Sequence, residues 1–143
     1  VILVDANLLL YAANRDAPEH EAARVWLDER LNGTVRVGLP WPSLLGFVRI
    51  ASNPAVLRRA EAPAAAWRQV RQWLSCDTVW IPLPGAEHAD VLVRLLDRPG
   101  MSSRLVPDAH LAALAIEHGL TLCSTDGDFA RFPGLKWENP LAA

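Results

Sequence analysis

The stretch Val1-Ile-Leu-Val-Asp5-Ala-Asn7-Leu-Leu opens the chain and decides how the rest is read. Four consecutive apolar residues, three of them β-branched, lack polar alternation and read as a strand buried on both faces. Asp5 ends the run abruptly. A carboxylate at the end of a buried strand is costly unless it is paired or meets a cation. Asp5 is therefore the first candidate functional residue.

Four more short runs resemble this strand: Val35 to Leu39, Thr78 to Leu83, Leu120 to Cys123, and Lys136 to Glu138. Helical stretches lie between them. Pro18 to Asn32 gathers Ala23, Trp26, Leu27 and Leu31 on one face, with Pro18 in the first turn and Gly33 as a stop. Pro63 to Ser75 gathers Trp67, Val70 and Leu74. Gly85 to Leu96 and Pro107 to His118 are two more, the second ended by Gly119. Strands alternating with helices predict an α/β fold whose parallel sheet is covered on both faces. The 143 residues suit one domain spanning 1–143, and no internal repeat divides them.

Composition narrows the function. The chain is 51% hydrophobic and 21% charged, which excludes a disordered or collagen-like chain. Its two cysteines, Cys76 and Cys123, have no CxxC spacing and are expected to be reduced thiols rather than a disulfide framework or a zinc site. No run of about eighteen apolar residues exists to span a membrane. The opening apolar run lacks a basic flank and is not expected to be a signal peptide. A cytoplasmic location follows as the expectation. The formal net charge is −2, and the total gives no sign of a nucleic-acid partner.

In open parallel sheets, ligands gather beyond the carboxyl ends of the strands. Asp5 follows the first strand there. Ser124-Thr125-Asp126-Gly127-Asp128-Phe129 follows the run Leu120 to Cys123, and Asp108 falls in the first turn of the helix Pro107 to His118. Taken singly, Asp108 would serve the helix dipole, and Asp126 and Asp128 would serve as turn and cap residues. Taken together with Asp5, they form a cluster that repels itself unless a cation joins it. Hard oxygen ligands select Mg²⁺ or Mn²⁺, and such a site suits hydrolysis of a phosphodiester.

Rival chemistries on the same architecture fail on residues. A dehalogenase-like phosphatase needs an Asp where Asn7 stands, and both it and a response-regulator receiver need a late Lys near the site. Thirteen of the fourteen basic residues are Arg, and the single Lys, Lys136, falls in the last strand. No GxGxxG, P-loop or GxSxG motif occurs. His20-Glu21 begins an HExxH-like pattern, but Arg24 occupies the second His position. His20, His88, His110 and His118 are read as surface or helix-end residues rather than zinc ligands.

Four segments, in this order, resemble the PIN-domain ribonucleases and, among them, the VapC toxins of type II toxin–antitoxin pairs. They are Ile2-Leu-Val-Asp-Ala-Asn-Leu-Leu-Leu-Tyr, Pro40-Trp-Pro-Ser-Leu-Leu-Gly-Phe-Val-Arg-Ile-Ala-Ser-Asn-Pro, Val106-Pro-Asp-Ala-His-Leu-Ala-Ala-Leu-Ala, and the segment from Ser124 to Leu141. The resemblance implies a three-layer α/β/α sandwich, Mg²⁺ or Mn²⁺ dependence and endonucleolytic RNA cleavage. It also implies a small VapB-like antitoxin as partner, and a homodimer or a toxin–antitoxin hetero-oligomer. Carried over by position, Asp5, Asp108, Asp126 and Asp128 match the family's metal-binding acids, and Asn7 and Thr125 match their polar neighbours. Asn7 would orient a ligand or water, or cap the helix that follows.

The chain departs from the family pattern once. Many members carry Glu in the mid-chain helix, where Leu45-Gly46-Phe47-Val48-Arg49 puts Gly46. Ser43, one turn earlier, offers either a hydroxyl or a helix cap. A domain lacking that Glu would either cleave RNA with the remaining acids or bind RNA and antitoxin while cleaving poorly. Arg49 and Arg104 are the candidate phosphate-binding residues, with solvated surface roles as the alternative. Leu8 to Leu10, Trp41 and Phe47 would serve a partner groove or the core.

Overall fold

The computed structural model describes residues 1–142; the expected span 1–143 ends on Ala143, outside them. Five parallel strands form one sheet: β1 (Ile2–Val4), β2 (Val37–Gly38), β3 (Val79–Trp80), β4 (Thr121–Cys123) and β5 (Lys136–Glu138), in the order β3-β2-β1-β4-β5. Three strands match the sequence reading closely. β2 and β3 are each two residues long, shorter than their apolar runs. The Leu39 N–H still bonds the Trp80 carbonyl at 2.9 Å, but Pro40 and Pro82 bring no N–H to extend the ladder.

Gly38 is required where it stands. A Cβ there would lie 3.0 Å from Pro82 Cγ and 3.2 Å from the Ile2 carbonyl oxygen. Its absence lets β2 and the segment after β3 close on the central strand.

Among the described residues, six α-helices cover the sheet: α1 (Ala6–Ala13), α2 (His20–Leu31), α3 (Trp41–Ala51), α4 (Pro63–Leu74), α5 (His88–Leu96) and α6 (Val106–His118). Side chains along β1 alternate between faces, so Ile2 and Val4 pack into one core while Leu3 packs into the other. The first core is built with Leu8 and Leu9 of α1, Trp26 and Leu27 of α2, Leu44 and Phe47 of α3, and Val70 and Trp73 of α4. The second is built with Val91 and Leu95 of α5, the alanine-rich face of α6, and Phe129 and Phe132. This is the α/β/α sandwich that the sequence predicts. Removing apolar area from water at about 25 cal/mol per Å² is what drives both layers together.

Several helix ends differ from the reading. Pro18 lies in the turn ahead of α2 rather than in its first turn. Pro40, not Ser43, precedes α3 as its cap residue; Ser43 lies inside the helix, 1% exposed, with its hydroxyl unpartnered. Gly119 ends α6 as expected, in the left-handed region at φ 69°, where a side chain is strained. Leu8, Leu9 and Phe47 belong to the core, whereas Trp41 is 39% exposed and stacks on Trp67. Both cysteines are free, and burial pushes the Cys123 thiol up to about 12, which keeps it inert. Among the described residues, no helix is long and apolar enough to cross a membrane.

Candidate metal centre

Strand order creates the site. The chain runs from β1 outward to β2 and β3, then returns to lay β4 on the other side of β1. The carboxyl ends of β1 and β4 therefore meet at a topological switch point, where open α/β sheets bind ligands. Val4 pairs with Cys123, so the next residue on each strand, Asp5 and Ser124, stand side by side.

Ser124 is fully buried and holds this junction together. Its hydroxyl donates to Asp5 Oδ2 at 2.8 Å and accepts from Asn7 Nδ2 and from the Asp126 N–H, each at 3.0 Å. The other Asp5 oxygen accepts the Ala6 N–H at 2.8 Å, which makes Asp5 the cap of α1. Asn7 is therefore not the cap. Its amide is tied to Ser124, and its Oδ1 is buried without a protein partner. The sequence reading named Thr125 as the supporting polar neighbour and missed Ser124. Thr125 is half-buried, and the hydroxyl that reaches the acids is the one before it. The available signal was position: Ser124 ends β4 as Asp5 ends β1.

Three of the four expected acids converge. One carboxylate oxygen from each of Asp108, Asp126 and Asp128 lies within 4.8 Å of the others. Asp108 projects from the first turn of α6, and Asp126 caps the 3₁₀ turn Gly127–Arg131 by accepting the Asp128 N–H at 2.9 Å. The turn-and-cap role is thus real for Asp126, and the same turn carries Asp128 into the cluster. Asp5 lies close enough for its charge to act on Asp108.

The electrostatics record the crowding. Burial, then the charges of Asp126, Asp5 and Asp128, push Asp108 up to about 6. Burial also raises Asp5, although its hydrogen bonds from Ser124 and Ala6 oppose this. Asp128 moves the other way, because Arg104 donates to its Oδ2 at 2.7 Å and Arg131 Nε lies 3.4 Å from its Oδ1. Arg104, expected to bind phosphate, is here a partner of the outermost acid. Arg49 is exposed on α3. Gly46 faces α1, and a Cβ there would sit 3.3 Å from the Ala6 Cβ, next to Asp5. The position offers no donor, so all the acids of the cluster come from the two strand ends and α6.

The donor set fits a hard divalent cation. It is all oxygen, it carries carboxylates whose repulsion a cation relieves, and the buried Asn7 Oδ1 nearby still lacks a hydrogen-bond donor. The fold and this cluster define an α/β protein with a candidate divalent-cation centre at its switch point.

Comparisons with known proteins identify the family. The family model for the PIN domain matches residues 2–135. Ribonuclease VapC37 of Mycobacterium tuberculosis is 44% identical over 140 residues, covering 98% of this chain and 97% of the relative. Ribonuclease VapC33 of the same species is 43% identical over 141 residues and covers 99% of each chain. In solved structures, VapBC2 from Rickettsia felis, bound to a DNA fragment from its promoter, superposes with a TM-score of 0.70 at 17% identity, over 96% of this chain and 97% of that one. Mycobacterium tuberculosis VapC20, described as a sarcin–ricin loop cleaving toxin, gives 0.65 at 21% identity, over 95% and 99%. The chain belongs to the PIN-domain family and, within it, groups with the VapC ribonucleases.

Proposed function

We propose that this protein is a metal-dependent endoribonuclease acting as the toxin of a VapBC-type pair. The observation that carries the reading is the convergence of Asp108, Asp126 and Asp128 beside Asp5 at the switch point. Asp5, Asp108, Asp126 and Asp128 would hold Mg²⁺ or Mn²⁺. Such a cation, when bound, supplies charge neutralisation at the phosphodiester and a water made nucleophilic at neutral pH.

The chain's own groups then have definable tasks. Ser124 fixes the rotamer of Asp5 and ties it to the Asp126 backbone. Asn7 Oδ1 has a free acceptor for a water that donates into the site. Arg104 and Arg131 stand at the rim, paired with Asp128, and can exchange that carboxylate for an RNA phosphate, a good bidentate partner for guanidinium. Cleavage in this chemistry leaves a 5′-phosphate and a 3′-hydroxyl.

Relatives and fold neighbours named for toxin–antitoxin systems support a small VapB-like antitoxin as partner. The antitoxin complex would be a hetero-oligomer. The test is cleavage of total cellular RNA with Mn²⁺, with and without chelator, mapping the new 5′ ends. Wild-type protein is expected to cut only with metal, and Asp126→Asn to lose at least a hundredfold in rate while remaining folded. Cleavage by that variant at the wild-type rate would overturn the assignment.

A further inference from the structure

A second polar cluster lies between α5 and α6, built from residues the nuclease site does not use. His88 is the first residue of α5, His110 lies within α6, and Glu117 lies in its last turn. Placement at a helix end agrees with the sequence reading for His20, His88 and His118. His110, inside α6, does not fit it, and the reading gave no hint that His88 and His110 would meet. The Glu117 carboxylate is 4% exposed and the His88 side chain 12%. Glu117 Oε1 accepts the Gly85 N–H at 2.6 Å, and its Oε2 holds His88 Nδ1. Among the described residues, no Lys or Arg pairs with Glu117.

We propose that His88 Nε2 and His110 Nδ1 form a second metal site, for a borderline divalent cation such as Zn²⁺, with Glu117 as the carboxylate that orients His88. The outer arrangement is the one a metal-ligating histidine uses: the far ring nitrogen donates to a carboxylate, which fixes the tautomer and turns the other lone pair outward. Nothing else is needed to set His88 for this role.

The two nitrogens are 3.1 Å apart, so a cation at about 2.1 Å from each would sit between them. The ring centroids are 4.9 Å apart, with ring planes inclined at 72°. Without a cation the two nitrogens share a hydrogen bond, which an ion entering between them would replace. Imidazole donors suit Zn²⁺, Ni²⁺ and Cu²⁺, whereas the carboxylate centre suits Mg²⁺ and Mn²⁺, so the two sites divide by ligand chemistry. His110 is only half-buried, which leaves an open side for water to complete the coordination. With two protein donors, affinity falls below that of a closed four-ligand zinc site.

Zn²⁺ titrated calorimetrically into the full chain, in millimolar Mg²⁺ to occupy the carboxylates, tests this. One Zn²⁺ per chain is expected, with chemical-shift changes in the ring ¹⁵N signals of His88 and His110 but not of His20. His110→Gln should weaken binding at least tenfold, and Glu117→Gln by about 10–100-fold. Asp126→Asn should bind Zn²⁺ as the wild type does. His110→Gln is the primary variant because the half-buried side chain can change without opening the core, and circular dichroism verifies its fold. Failure of the wild type to bind Zn²⁺, undiminished binding by His110→Gln, or loss of binding in Asp126→Asn would each overturn the proposal. RNA cleavage does not enter the readout, so this result and that of the nuclease test stand apart.

Discussion

The Ser124 hydroxyl donates once, to Asp5, and accepts twice, from Asn7 and the Asp126 amide. That exhausts its capacity. Ser124→Ala would leave Asp5 Oδ2, Asn7 Nδ2 and the Asp126 N–H unpaired at a buried point. The variant is expected to lose about 10–100-fold in Mn²⁺ affinity by calorimetry, with a stability loss of about 1–3 kcal/mol by denaturant titration. Unaltered Mn²⁺ affinity would show that Asp5 needs no such support. The acids themselves were legible, because a carboxylate after a buried apolar run conflicts with its surroundings and so announces itself. Ser124 was not, because a serine after a strand conflicts with nothing. Its importance arises from a partner 119 positions away in the chain, which leaves no local trace. The same holds for Glu117, His88 and His110, whose spacings fit no motif.

At the level of elements, α6 does two jobs. Its first turn carries Asp108, and its end sets where β4 begins. Gly119, at φ 69°, allows the Leu120 N–H to reach the Ala115 carbonyl at 2.8 Å before the chain enters β4. A Cβ at Gly119 meets nothing within 4 Å, so the penalty of Gly119→Ala comes from the backbone alone. It is expected to lower stability by about 1–2 kcal/mol in denaturant unfolding. A change below about 0.3 kcal/mol would mean that the turn relaxes freely. α2, α4, α5 and α6 were readable from their apolar spacing and stop residues, whereas α1 and α3 were not among those runs and entered only through the family resemblance. β2 and β3 were readable as apolar runs but not as two-residue strands, since strand length depends on which N–H groups find a partner across the sheet. The approach of α1 to α3 at Gly46 was equally hidden: the missing acid showed in the sequence, but the contact with Ala6 did not.

For the molecule as a whole, the burial and crowding of Asp108 and Asp5 oppose folding when no cation is present. Asp108 titrates at about 6 in the folded protein against 3.8 ordinarily, and Asp5 is also raised. A carboxyl raised on folding binds its proton more tightly in the native state, so its stabilising contribution is complete below about pH 4 and is lost as the pH rises through about 6. Metal-free protein should therefore melt at a lower temperature at pH 7.5 than at pH 5.5. Asp108→Asn should raise the metal-free melting temperature at pH 7.5 by about 2–4 °C, corresponding to on the order of 1 kcal/mol after allowance for solvent screening. Scanning calorimetry in chelator checks both, and a variant that melts below the wild type at pH 7.5 would contradict the assignment. The net charge of −2 showed none of this, because the effect lies in where the acids stand. The strand order that gathers them also imposes a schedule. Asp5 is made 119 residues ahead of its Ser124 partner. At about 5–20 residues per second, that wait is roughly 6–24 s. A nascent chain cannot assemble this centre during that interval, because the acids after β4 and the Ser124 hydroxyl that ties Asp5 to them do not yet exist.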